Sequence, residues 1–237
     1  MSRQALTLPQ VDEFPAAPGW YGKVVLLGDF AHRRLSQGFI TVCDQWLSRG
    51  ISASRLQLGS SWLDIYLTGP VWRFAWAPGV VDDSWWFGVM MPSVDAVGRY
   101  FPLVVSSSDQ NPPMSIDACN QLSRWYSHAG QAALATLRPG ASVDGFEAEL
   151  ARAPQWQDAA TAQPEVETTA ERQRFLLGGT PSLARWVHTL ASPLFTQRYA
   201  RHSFWFAFPA DGRDDALTVV PGLPDPDQFS LMLEGRW

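Results

Sequence analysis

Five aspartates, Asp29, Asp64, Asp82, Asp83 and Asp95, are the carboxylates with which this chain could build a metal-dependent phosphatase centre, since such centres gather aspartates from several strand ends around a metal pair. None of the five is followed by glycine. Asp-Gly pairs occur only at Asp144-Gly145 and Asp211-Gly212, both in loop-like contexts, and Asp64 falls in a helical pattern where exposure is the default. His32, His128, His188 and His202 are far apart, and none has a second His or Cys at a ligand spacing, so structural zinc is not indicated. Ser106, Ser107 and Ser108 lack the G-x-S-x-G elbow that exposes a nucleophile on a strained turn. Gly19-Trp20-Tyr21-Gly22-Lys23 is too short for a phosphate loop, and Val24 stands where the magnesium-binding hydroxyl would be. The residues therefore give no catalytic group, no metal site and no cofactor, and a hydrolase with an unusual site stays as the alternative.

Two dense groups of turn-forming and aromatic residues remain. One is Gly28-Asp29-Phe30 with Arg33 and Arg34 following. The other runs from Met91-Pro92-Ser93-Val94-Asp95 through Gly98-Arg99-Tyr100-Phe101-Pro102 to Leu103. As structure, Asp29 and Asp95 accept backbone N–H bonds in turns, and Arg33 or Arg99 pairs with a carboxylate. As function, Asp29, Phe30, Arg33, Arg34, Asp95, Arg99 and Tyr100 present arginine and aromatic anchors to a protein partner at one end of a sheet. Gly22, Lys23, Gly28, Pro92, Gly98, Phe101 and Pro102 then form the structural part of the motif.

The elements that must position these groups follow from periodicity. Residues 1–18, polar and carrying three prolines, read as a mobile arm, with order beginning near Trp20. The run from Trp20 to Leu27 reads as one buried strand with Lys23 reaching solvent near its start. Phe39, Cys43, Trp46 and Leu47 share a helical face until Gly50 ends the helix. Leu58, Trp62, Leu63, Tyr66 and Leu67 line a second core-facing helix that stops at Gly69-Pro70. The period then becomes two in Val71 to Trp76, and with Trp85 to Met91 and Arg99 to Ser106 the short connections predict an antiparallel meander.

Ser115 to Leu137 reads as a long helix, or two joined at Gly130, with Ile116, Cys119, Leu122, Trp125 and Tyr126 on one side. A short helix over Val143 to Arg152 precedes a polar surface stretch, Pro154 to Arg174. If the chain has two subdomains, they divide near 154–175. Ser182 to Leu190 and Pro224 to Leu233 read as helices, and Ser203 to Phe208 and Leu217 to Val220 as strands. The order predicts an α+β fold, three-layer-like, with helices covering a largely antiparallel sheet in one globular domain over 19–237.

Composition narrows the partner. Twelve Trp and thirteen Phe with only 17% charged residues describe a chain that buries aromatic surface. The net charge is −5, Lys23 is the sole lysine, and the arginines are scattered, which disfavours nucleic acid. No signal-peptide core and no spanning apolar run is present, so a cytoplasmic protein without membrane insertion is expected. Cys43 and Cys119, each amid apolar neighbours, read as buried thiols.

At the two dense groups the chain resembles the TagF family of type VI secretion accessory proteins of Gram-negative bacteria. The matching text is Pro18-Gly19-Trp20-Tyr21-Gly22-Lys23 through Gly28-Asp29-Phe30, and Trp86 to Leu103 with its Pro92-Ser93-Val94-Asp95 and Val97-Gly98-Arg99 core. The likeness covers about residues 18–106 well and Ser203 to Trp237 loosely. Val25 stands where the family usually has proline. The resemblance implies a cytoplasmic post-translational repressor that binds the secretion system's FHA-domain scaffold protein, and a fold related to small longin-like domains. It carries over no catalytic residue. A structural adaptor of the apparatus is a further alternative.

Overall fold

The computed structural model describes residues 6–7, 17–156, 165–168, 172–176, 183–207 and 216–237. The strands are β1 (Leu6–Thr7), β2 (Gly19–Gly22), β3 (Ala31–Arg33), β4 (Trp72–Trp76), β5 (Trp85–Met91), β6 (Leu103–Asp109), β7 (Glu165–Thr168), β8 (Gln173–Leu176), β9 (His202–Ala207) and β10 (Thr218–Pro221). The helices are α1 (Gln37–Leu58), α2 (Trp62–Leu67), α3 (Ile116–Ala135), α4 (Val143–Ala151), α5 (Leu183–Tyr199) and α6 (Phe229–Leu233). Among the described residues, eight strands form one sheet in the order β1-β3-β2-β6-β5-β4-β9-β10, and β7 and β8 form a separate hairpin. Every pairing in the large sheet is antiparallel except that of β1 with β3.

Strand β5 sets the three-layer architecture. All seven of its residues are buried, unusual for an antiparallel strand unless both faces are covered. Trp85, Phe87, Val89 and Met91 face one core, packed with Trp125, Tyr126, Phe146 and Leu150 of α3 and α4. Trp86 and Met90 face the other, built with Phe39, Cys43, Trp46 and Leu47 of α1, Trp62 and Tyr66 of α2, and Phe229 of α6. Helix starts are fixed locally: Ser36, Ser115 and Ser142 each accept a backbone N–H from the first turn of α1, α3 and α4. The α+β fold with a helix-covered, largely antiparallel sheet is as the periodicity predicts.

Several boundaries differ for identifiable reasons. Helix α1 does not stop at Gly50 but runs on to Leu58, ending at Gly59 with φ 54°. Gly50 is there for contact, since a Cβ would lie 2.6 Å from Cδ2 of the buried Phe229 ring. Gly50→Ala should therefore lose stability despite a helix-propensity gain of about 1 kcal/mol. Overpacking costs about 1–3 kcal/mol, and a lowered urea midpoint at unchanged m-value is the expected result. Leu63 and Leu67, expected in the core, are exposed because Trp62 and Tyr66 take the inner face of α2.

Helix α3 is single, and Gly130 is buried inside it. Ile116 and Cys119 lie in its exposed first turn, so of the two thiols only Cys43 is buried. The supposed strand from Trp20 to Leu27 ends at Gly22, and β6 starts at Leu103, four residues later than its apolar text suggests. The final helix is a 3₁₀ turn, Pro226–Gln228, leading into α6. Strands β9 and β10, beyond the proposed subdomain division, extend the same sheet at β4. Residues 157–164 of that division, like most of the N-terminal arm, lie outside the described residues, and so does Phe208.

Candidate functional site

Gly22 is where the two dense groups are brought together. Its φ is +132°, and a Cβ there would collide with the Pro102 carbonyl oxygen. This conformation, open to glycine, turns the chain out of β2 and sends Lys23 inward. Lys23 is 4% exposed, not solvent-facing as the strand reading had it, and its ammonium donates to Asp95, itself 2% exposed. The Lys23 nitrogen also sits 4.6 Å from the centre of the Phe30 ring. Phe30 and Phe101 close edge to face at 4.8 Å beneath it.

Asp95 organises the turn between β5 and β6. Its Oδ1 accepts from the backbone N–H groups of Val97 (3.1 Å) and Arg99 (2.9 Å), and its Oδ2 from Lys23 and from Arg99 Nε at 2.7 Å. A carboxylate offers about four acceptor directions, and all four are used. Burial, the largest single influence, would raise the pKa of this group, but the bonds from Lys23, Arg99 and Val97 together outweigh it and hold the carboxyl far below its usual range. Gly98, with φ +84°, closes the turn by donating to the Asp95 carbonyl at 3.0 Å.

Arg99 spans the two groups. Its guanidinium donates to the Gly28 carbonyl and lies 3.5 Å from Asp29 Oδ1, while Ala96 N donates to Leu27 O at 2.9 Å. Asp29 also accepts from Phe30 N at 2.8 Å. The turn thus stands on the Leu27–Asp29 loop as one knuckle. Tyr66 of α2 fixes its other side: the hydroxyl donates to Ser93 O and accepts from Ser93 N, at 2.8 and 2.9 Å. Burial pushes that hydroxyl's pKa up, so it remains a donor at neutral pH. Tyr100 packs against Trp62 and Tyr66. Pro92 and Pro102 bracket the turn.

The expected contact residues divide accordingly. Phe30 and Asp95 are buried and hold the knuckle. Arg99 and Asp29 are about half exposed, Tyr100 is partly covered, and Val97, at 66% exposure, is the exposed large apolar residue of the turn. Arg33 and Arg34 point to a different place. Arg34, with φ 55°, donates through Nη2 to Glu147 Oε2 at 2.5 Å and through Nε and Nη2 to Pro18 O. Arg33 Nε lies 3.5 Å from Glu147 Oε1, which accepts from Trp20 Nε1 at 2.6 Å. Glu147, 2% exposed on α4, therefore clamps the β2–β3 hairpin. Sequence reasoning passed over it, although Val143, Phe146, Glu147 and Leu150 share one helical face and the carboxylate is the polar interruption in it.

Among the described residues no group of three or more His, Cys, Asp or Glu is placed to hold a metal ion. No helix among them is long and apolar enough to cross a membrane. A family model described as the TagF N-terminal domain, type VI secretion system-associated, matches residues 19–153. The crystal structure of PA0076 from Pseudomonas aeruginosa PAO1 is similar over 92% of this chain and 94% of that one, at 32% sequence identity and a TM-score of 0.71. A search of the curated proteins finds no match.

Proposed function

The chain belongs to the TagF N-terminal domain family, which is associated with the type VI secretion system, and from that premise we propose that it is a cytoplasmic, post-translational repressor of secretion. It acts by binding and sequestering the FHA-domain scaffold protein of the system, without turnover. The observation that supports a binding role at this site is the saturated carboxylate of Asp95. A group whose four acceptor directions are filled by Lys23, Arg99 and two amides has none left for a metal or an attacking water. What it does is hold a rigid turn whose tip, Val97, projects into solvent. Pre-organised turns with a protruding apolar residue and a flanking arginine suit protein recognition, because little ordering entropy is lost on docking.

In cells, repression by sequestration tracks the amount of complex. Deleting the coding sequence should raise secretion, and graded re-expression should lower it in proportion to protein level. Loss of secretion on deletion would instead make the chain an adaptor of the apparatus. Val97→Asp should weaken association with the scaffold at least tenfold, because a charge is desolvated at the contact. Its unfolding midpoint should be unchanged, since exposed positions away from special features stay within about 0.5 kcal/mol. Unaltered affinity for Val97→Asp, measured by calorimetry, removes the knuckle tip from the interface.

A further inference from the structure

Helix α2 is apolar on two faces but packed on one. Apart from Asp64, its six residues are all aromatic or large and aliphatic. Trp62 and Tyr66, four apart, take the inner face, against the core shared with α1. Leu63 and Leu67, also four apart, share a second face and are 37% and 56% exposed. A helix that is hydrophobic nearly all round is ordinarily buried nearly all round. Single exposed leucines need no explanation, but this pair stands on one short helix that is joined to the knuckle, where Val97 is exposed as well.

An arginine stands at the same corner. The Arg55 side chain is exposed in the last turn of α1, with its guanidinium carbon 4.1 Å from the centre of the Trp62 ring. Among the described residues no carboxylate pairs with it. Tyr66 stacks on Trp62 at 4.7 Å, and the Tyr100 ring meets both edge to face, at 6.1 and 5.8 Å. With the Tyr66 hydroxyl bound to Ser93, the α1–α2 corner and the knuckle are held as one unit. A guanidinium already stacked on a ring loses little freedom when it pairs. Asp64 is exposed on α2, which weighs against a dianionic phosphate here and favours a single carboxylate as the group that pairs with Arg55.

We infer that the α1–α2 corner is a second contact surface for the protein partner, which lays a segment bearing apolar side chains and a carboxylate across it: the apolar groups cover Leu63 and Leu67, and the carboxylate pairs with Arg55. This deepens the proposed function and rests on it for the identity of the partner. The contact surface then extends from the knuckle tip across Tyr100 to α2.

The test measures affinity for the scaffold protein by calorimetry, with full-chain variants. Leu63→Gln with Leu67→Gln removes the apolar face and keeps helix propensity, so its urea midpoint should match that of the natural chain. It should bind at least tenfold more weakly. Arg55→Gln should bind about fivefold more weakly and with a smaller salt dependence. Leu134→Gln, the same change at an exposed position of α3 on the other side of the sheet, should bind as the natural chain does. Unchanged affinity of the double leucine variant overturns the inference while the proposed function stands. Self-association of the natural chain that this variant abolishes overturns it too, because the face then belongs to a second copy.

A second arm does not depend on which protein the partner is. Secretion is measured in cells lacking the coding sequence and resupplied with the natural chain or the double leucine variant at matched levels. Should the natural chain not bind the scaffold, the proposed partner falls and this arm decides. Loss of the natural chain's effect in the variant keeps the surface, and an effect equal to the natural chain's overturns it.

Discussion

Asp95→Ala is expected to lower the free energy of unfolding by about 3–5 kcal/mol, the range for removing one member of a buried ion pair. The magnitude follows from what is left behind. Lys23, 4% exposed, would lose its carboxylate partner and be left beside the Phe30 ring, and two turn amides would lose their acceptor. Lys23→Met should cost less, about 1–2 kcal/mol, because Asp95 retains Arg99 and the amides. Combining Lys23→Met with Asp95→Ala should cost clearly less than the sum, since the second change no longer strands an ammonium. Urea denaturation of the four proteins measures this, and additive losses would mean that the two groups are not coupled.

The same contact fixes a pH dependence. The folded Asp95 carboxyl lies well below the unfolded value of about 3.9. Its contribution is therefore fully present above about pH 4 and is lost as pH falls towards the folded value. Asp95→Asn should flatten that part of the stability curve. An unchanged acid limb would assign the acid loss to other carboxylates.

Glu147→Ala carries the second largest expected loss, about 3 kcal/mol. The Arg34 side chain is 8% exposed and would lose its carboxylate partner, while the Trp20 indole N–H, wholly buried, would lose its acceptor. Bonds to charged groups are worth about 1.5–3 kcal/mol each, and a cavity at α4 adds to the cost. Glu147→Gln keeps an acceptor for Trp20 but not a charge for Arg34, so about half of the loss should return. If Glu147→Gln is as damaging as Glu147→Ala, the indole bond is not the part that matters. Because the clamp anchors the hairpin that carries the Leu27–Asp29 loop, the alanine variant should also weaken the scaffold complex, whereas Val97→Asp acts on the complex alone.

How much of this was legible depends on whether a residue's role is local. Trp72, Phe74 and Trp76 announce β4 because alternation is a property of neighbours in sequence. Asp95 as a turn acceptor and Arg99 as a carboxylate partner were legible for the same reason, since their bonds span four residues or fewer. Gly50 and Gly22 were not. Both look like punctuation, yet one admits a ring from α6 and the other admits a carbonyl 80 residues on, and nothing near either glycine encodes the approach. Lys23 was misplaced because its partner lies 72 residues away, so the charge looked unpaired within its own strand. Arg33 and Arg34 looked like an exposed basic pair because Glu147, more than 110 residues distant, neutralises them.

The central claim is that this chain works by forming a complex. The most direct measurement is a titration of the purified chain into the purified FHA-domain scaffold protein, followed by calorimetry and light scattering. Saturation at a fixed stoichiometry, with affinity in the micromolar range or tighter and a matching increase in mass, is the predicted result. Absence of association at micromolar concentrations, with both proteins folded, would contradict it.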